Sequence, residues 1–481
     1  MTAMPPSDSP SPRFPDEAWL RVFAHIAHAP TILAISLTSR RFHGLSWDEL
    51  LHTIVWKSAD KATENVGFWE ANSALAYIPT SLAMTLTSAH SIQAAVYIRP
   101  SATQLAKLNA DEAAHPRLLD YVCRFQNLTT LSMDGLLPPV FYHVLLNLPN
   151  LTHLDLNSCL VPFAPPHFPF SYPSFWDKDI GHLTISVTHL TLRGAYAHYD
   201  NLLNWLTALR SLTLAGSLEI VISMPALQRL MSLTLLPADS PAETIEELNT
   251  YLQHALNLRH LTVGAPPSQT LHAPLLPLLF APPQLETFTG PEFAAHAVLA
   301  RLPALAALTV TTPLATTRAA LALIERAKSL TLRALTLTLT EWDIEVLIAA
   351  AHCLPACRRL ALAFRFSAPS EEHLFELGVE HLPRLAHLHT VHLLGRPEAL
   401  GGVYELDMTG NAVGRYNTRM HAAAETRVLA VPPTEEACGD AVRAWARYNP
   451  NLRAARLVPG REWARGGAAG RWTVGNVVEA D

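Results

Sequence analysis

A chain of 481 residues is long enough for several conventional domains or one extended repeat array. Apolar residues make up 49% and charged residues 16%, which excludes a disordered chain. The net charge of −6 and pI near 6.4 lack the basic excess of a general nucleic-acid binder.

Residues 1–13, MTAMPPSDSPSPR, hold four prolines and no apolar run, so a short disordered lead is expected and not a secretory signal. From Phe14 to Leu45 the pattern predicts two or three short amphipathic helices. Trp19, Val22, Phe23 and Ile26 fall at i, i+3, i+4 and i+7 and line one helical face. Ile32, Leu33, Ile35 and Leu37 follow on a second helix, and Phe42 and Leu45 open a third. A unit of roughly 40 residues rarely sustains its own core without disulfide, metal or partner. This one contains no Cys, so its spare apolar surface is expected to be covered from outside.

The same residues resemble the F-box. Phe14-Pro15-Asp16-Glu17 is similar to its Leu-Pro-x-Glu opening, with Phe in place of Leu. Val22-Phe23 and Ile26 stand at its apolar positions, and Pro30 precedes a leucine-rich second helix, although the link before it lacks the usual acidic residue. Ser39-Arg40-Arg41-Phe42 matches the (Cys/Ser)-(Lys/Arg)-(Arg/Lys)-(Trp/Phe) element, and Leu50-Leu51 through Phe68-Trp69-Glu70 resembles fungal F-box proteins in particular. The resemblance covers under a tenth of the chain. It implies docking on the Skp-type adaptor of a cullin–RING (SCF-type) ubiquitin ligase, with Pro15, Val22, Ile26, Leu33, Leu37 and Phe42 on the docking side. The alternative is an N-terminal helical cap of a larger domain.

Past about residue 80 a leucine pattern recurs. A helical stretch ends in Leu-Pro-x-Leu or a variant, followed by x-x-Leu-x-Leu. The clearest copies are Leu148–Leu156, Leu302–Val310 and Leu354–Leu362, the last with Cys357 in one leucine slot. Looser copies start at Leu128, Val187, Leu209, Leu230, Leu258, Leu285, Leu332, Leu385 or Leu388, and Leu452. Starts about 20 to 30 residues apart lie in the leucine-rich-repeat range. The first, fourth and sixth positions should enter a shared core, with x-Leu-x as one strand of a parallel sheet. Helix starts are signalled at Ser240-Pro241-Ala242-Glu243, at Asp200 and at Thr340 to Asp343. The spacing is irregular, and the ninth-position Asn or Cys of regular repeats occurs only as Cys159. A globular α/β domain with leucine-rich strands is the alternative.

From about Pro397 the character changes. Leu400–Leu406 and Arg427–Val431 predict strands, Thr434 to Tyr448 a helix with Val442, Trp445 and Ala446 on one face, and Arg471–Val474 the end of the fold. The expected organisation is a disordered lead (1–13), an F-box-like helical unit (14–57), linking helices and first irregular repeats (58–125), leucine-rich repeats (126–396), then last repeats and a cap (397–481). The fold class is α/β: a three-helix unit followed by an irregular solenoid, parallel sheet inside and helices outside.

Little in the chain points to chemistry of its own. Five scattered cysteines suit a reducing compartment, and His352-Cys353 with Cys357 lacks the second half of a metal site. His381, His387, His389 and His392 share one repeat, but strand alternation divides such residues between two faces. No GxSxG, HExxH or GxxxxGK[ST] sequence occurs. No enzyme activity, cofactor or metal is expected. The most apolar stretch, Ala273 to Ala281, is too short for a membrane span and holds Pro274 and Pro277. A cytoplasmic or nuclear protein with neither membrane nor nucleic-acid partners is expected.

The third and fifth repeat positions should form the concave face. They include His153/Asp155, His189/Thr191 and His260/Thr262, which are the candidate substrate contacts, and Thr recurs at the fifth position. His387 also directly precedes a leucine taken as a fourth position. Thr there serves β-packing by itself. Functionally it gives a neutral, hydroxyl-rich groove with almost no charge. The sequence thus predicts a substrate-recognition subunit of an SCF-type ligase delivering an unknown protein substrate; the alternative is a leucine-rich-repeat scaffold without a ligase link.

Overall fold

The computed structural model describes residues 15–26, 29–86, 117–137, 141–160, 185–194, 202–203, 206–215, 224–236, 241–265, 278–280, 282–301, 305–328, 331–365, 367–395, 433–466 and 471–476. The chain divides into two compact units, Met1–Ala226 and Leu227–Asp481.

The first unit opens with three helices, α1 (Asp16–Ala24), α2 (Ala29–Ser36) and α3 (Arg40–His52), and continues with α4 (Ala59–Ala71). Its sheet contains β1 (Thr53–Trp56), β2 (Ser81–Thr85), β3 (Thr130–Leu136), β4 (His153–Leu160), β5 (His189–Arg193) and β6 (Ser211–Ala215). Each strand pairs in parallel with the next in sequence. The register is set by buried leucines: Leu131, Leu154, Leu190 and Leu212 are Cα partners in successive strands and all lie in the core. A one-residue slip would send every one of these side chains to the open face. The sheet begins earlier than the leucine motif signals. In β1, Ile54 and Trp56 are buried and Val55 is exposed, the period-two pattern of a strand with one covered face.

The second unit contains β7 (Ser232–Leu236), β8 (His260–Val263), β9 (Thr287–Gly290), β10 (Ala307–Val310), β11 (Ala334–Leu339), β12 (Arg359–Phe364), β13 (Thr390–Gly395) and β14 (Ala454–Val458), again parallel in sequence order. Leu233, Leu261, Phe288, Leu308, Leu335, Leu360, Val391 and Ala455 form its inward rank. The start left open in the sequence is settled here. Leu388 takes the first position, because Val391 then pairs with Leu360. His387 consequently does not precede a fourth-position leucine, and that slot belongs to Thr390. After β14 the direction reverses, and β15 (Arg461–Gly466) and β16 (Arg471–Asn476) add antiparallel strands.

Helices return the chain between many of the strands. Thr434 caps its helix as expected, accepting from the Ala437 amide at 3.2 Å, but the start signalled at Thr340 falls three residues later: Asp343 is the cap and accepts from the Glu345 amide at 2.9 Å, while the Thr340 hydroxyl donates to the Leu314 carbonyl. Pro241 starts its helix as expected, with Ile245, Leu248 and Leu252 buried. Ser240 and Asp200 lie outside the described residues, as do the two strands predicted between residues 400 and 431 and most of Ala273–Ala281. No helix of the described residues is long and apolar enough to cross a membrane.

Two local devices hold the turns. At the eighth position of three neighbouring copies, Gly135, Ser158 and Gly194 all have positive φ, at 106°, 48° and 72°. Glycine suits that conformation, and Ser158 holds it at some cost. Next to it, the ninth-position Cys159 donates its thiol to the Met133 carbonyl at 3.1 Å, tying one turn to the previous one. Near the other end, the helix Glu435–Tyr448 buries Cys438, Val442 and Trp445; the Trp445 indole donates to the Leu374 carbonyl at 2.7 Å.

Truncating an inward leucine removes transfer energy and leaves a cavity. Leu360→Ala should therefore lower unfolding free energy by about 2–5 kcal/mol, whereas Thr336→Ala on the open face should stay within about 0.5 kcal/mol of the parent. Urea unfolding followed by circular dichroism tests both, and equal losses would contradict this division of the sheet.

Candidate functional site

Two surfaces stand out, one in the N-terminal helices and one along the open sheet faces. In the helices, a shared aromatic cluster does the internal work. The ring of Phe42 lies 4.7 Å from Trp19 and 6.0 Å from Phe23, both edge-on, and Trp19 and Phe23 are 6.2 Å apart. Asp16 pairs with Arg41, whose Nε donates at 2.8 Å, and Ser39 caps α3 by accepting from the Phe42 amide at 3.1 Å. Ile32 and Ser36 are buried beneath α2, with the Ser36 hydroxyl donating to the Leu33 carbonyl. These contacts leave other apolar side chains in water. Val22 is 47% exposed, Leu33 51% and Leu37 75%. Pro15 is exposed as well, and Ile26 is half-buried. Of the six residues expected to dock, Phe42 thus belongs mainly to the internal cluster. Val22, Leu33 and Leu37 remain uncovered.

On the sheet, the predicted contacts separate by unit. His153, Asp155, His189 and Thr191 come together on β4 and β5, whereas His260 and Thr262 lie on β8 of the second unit. His153 and His189 are partners in register and stack face to face, 4.3 Å apart at 9°. The threonine before each holds its Nδ1: Thr152 at 2.9 Å and Thr188 at 2.8 Å. Burial, then the neighbouring His153, lowers the pKa of His189. Asp155 lies 3.9 Å from Arg193, and on β3 burial raises the pKa of Asp134. Asp134 and Asp155 each keep one shielded carboxylate oxygen without a hydrogen-bond partner. The His260 Nδ1 meets the Thr287 hydroxyl at 2.8 Å. The result is a polar strip of stacked imidazoles beside partly buried carboxylates.

The expectation of an almost uncharged groove needs correction at one end of the second unit. Across β7 to β11 the fifth position reads Thr234, Thr262, Thr289, Thr309 and Thr336. From β12 onward Arg359, His392 and Arg456 enter the same open face. His392 escaped because its copy could start at Leu385 or Leu388, whereas Arg456 stands at the fifth position of the copy that starts at Leu452. Burial first, then Arg359 and Arg456, pushes His392 from 6.5 down to about 4.

Burial raises the thiols of Cys357 and Cys438 to about 11 and those of Cys123 and Cys159 to about 12, so thiolate ligands or nucleophiles are disfavoured. Cys353 is raised too, by burial and then by Glu325. Among the described residues, the three potential ligands close to one another are Glu376, Glu380 and His381, with atoms within 4.8 Å. Both carboxylates are exposed. Compared with known proteins, the chain matches no family model and no curated protein.

The His392 shift has a pH consequence. Its folded pKa of about 4 lies below the ordinary 6.5, so the unfolded chain takes up the proton first as pH falls. The stability that neutral His392 supplies is complete above about 6.5 and is lost on descending toward 4. His392→Gln should therefore show a smaller drop in Tm between pH 7 and pH 5 than the parent. An identical drop in both proteins would remove this assignment.

Proposed function

We propose that the protein is a substrate-recognition subunit of an SCF-type ubiquitin ligase: an F-box-like N-terminal unit docks on a Skp-type adaptor, and a leucine-rich-repeat solenoid holds a protein substrate. The observation that carries this proposal is the division of labour within α1 to α3. Trp19, Phe23, Ile32 and Phe42 hold the helices together, while Val22, Leu33 and Leu37 stay exposed on the same short unit. Large aliphatic side chains left in water at 47–75% exposure are what a protein partner would cover. The parallel ladder with Leu at its inward positions supports the repeat half of the proposal. The protein would itself catalyse nothing. It would raise the effective concentration of a substrate beside an enzyme carried by the assembly.

Co-expressed with a Skp-type adaptor, the full chain should co-purify with it. Leu33→Asp combined with Leu37→Asp should cut the adaptor recovered at least about tenfold, since hot-spot losses run at about 2 kcal/mol or more. Circular dichroism of the variant checks that the fold survives. Retention unchanged by the double substitution, or no retention by the parent chain, leaves a repeat scaffold without a ligase link.

A further inference from the structure

In the second unit, backbone hydrogen bonds just before the strands link one residue to its counterpart on the neighbouring strand. Arg259 donates to the Met231 carbonyl at 2.9 Å, Glu286 to Arg259 at 2.9 Å, Ala306 to Glu286 at 2.8 Å and Arg333 to Ala306 at 2.7 Å. The series continues with Arg358 to Arg333 at 2.7 Å, His389 to Arg358 at 2.7 Å, Arg453 to His389 at 2.8 Å and Arg465 to Arg453 at 2.8 Å. These residues form one rank across the sheet. Its first half is balanced, with Arg259 3.6 Å from Glu286. Its second half is Arg333, Arg358, His389, Arg453 and Arg465 in unbroken succession.

Arg333, Arg358, Arg453 and Arg465 are exposed, and so is Arg359, beside Arg358 at the start of β12. Arg333, Arg358, Arg359 and Arg453 make no ion pair with any described residue. Arg465 donates to the Pro450 carbonyl at 2.9 Å. Burial, then the neighbouring Arg453 and Arg358, lower the pKa of His389. Like charges on neighbouring strands repel. A chain of net charge −6 nevertheless concentrates them here, and Arg333, Arg358 and Arg453 have no acidic partner among the described residues.

We propose that this rank is a docking site for an acidic segment of a partner protein, laid across the starts of β11 to β14 and the end of the reversed strand β15. Five positions at about 4.8 Å strand spacing span about 19 Å, or about six residues of extended peptide. The rank's own amides are spent in the ladder, so recognition falls to side chains, and guanidinium forks match carboxylates. A protein fits better than a single-stranded nucleic acid. The open-face positions of β12 to β14 are Ala361, Ala363, Leu394, Ala454 and Val458 besides Arg359, Thr390, His392 and Arg456, with no Phe, Tyr or Trp; at the far end Trp472 on β16 pairs with Arg465, a single ring where successive bases would need several. This site stands on the charge arrangement alone, whether or not the N-terminal helices dock.

The test uses the full chain and a fluorescein-labelled hexaglutamate peptide, followed by anisotropy at low ionic strength. The acidic peptide should bind, hexaglutamine should not, and added salt should weaken the complex. Arg358→Glu with Arg453→Glu should reduce affinity at least about tenfold at unchanged Tm. Should charge reversal unfold the protein, Arg358→Gln with Arg453→Gln is the substitute and should weaken binding in the same sense. Equal binding of the two peptides, acidic-peptide affinity unchanged by the substitutions, or tighter binding of oligothymidylate than of hexaglutamate would each overturn the proposal.

Discussion

Every feature of the sheets depends on one constraint. A strand can join the parallel ladder only when its amides meet the preceding strand while its alternate side chains enter the same core layer. Leu154 and Leu190 are partners although 36 residues separate them, and Val391 and Ala455 although 64 do, as subtraction of their numbers shows. Loop-closure entropy grows only slowly with length, so such unequal intervals are tolerated. A slip of one residue within a strand is not, because it would exchange the buried and open faces. The inward leucines therefore settle which side chains face outward. The stacked His153 and His189 and the cationic residues from β12 onward are placed by the burial of their neighbours.

The N-terminal helices obey a different balance. A unit this small has too little interior for all its apolar residues. It spends its aromatics on cohesion, with Phe42 between Trp19 and Phe23, and leaves aliphatic groups of α1 and α2, with Leu37 just past α2, uncovered. An interaction surface on such a unit is the remainder after the internal core is satisfied. That is why Phe42 and Leu37, equally apolar in the sequence, end in different surroundings.

Strand positions were legible in the sequence wherever leucine recurred at the first, fourth and sixth positions. Leu151, Leu305 and Cys357 all prove buried. So was the cap at Thr434, whose chemistry is local. What escaped was non-local. Strand β1 carries Ile54 and Trp56 in place of leucines, so the motif passes over it. The register at Leu388 needed a partner strand to decide it. The succession from Arg333 to Arg465 draws on residues 25 to 64 positions apart or on a reversed strand, and no linear window contains it. Side-chain exposure in α1 to α3 could not be read from periodicity, because one helical stripe supplies both cohesion and surface.

The turn-around after β14 has a further consequence. A parallel ladder presents the same hydrogen-bonding pattern at each step and is open to continued growth by any strand of matching register. The hairpin Arg461–Asn476 replaces that template with an antiparallel one, whose bonds alternate in spacing. Its outer strand β16 is largely solvated and starts with an exposed Arg471. Charge at a sheet edge discourages pairing with another chain. The reversal thus acts as a chain terminator for the sheet, keeping a surface built for repetition from repeating between molecules.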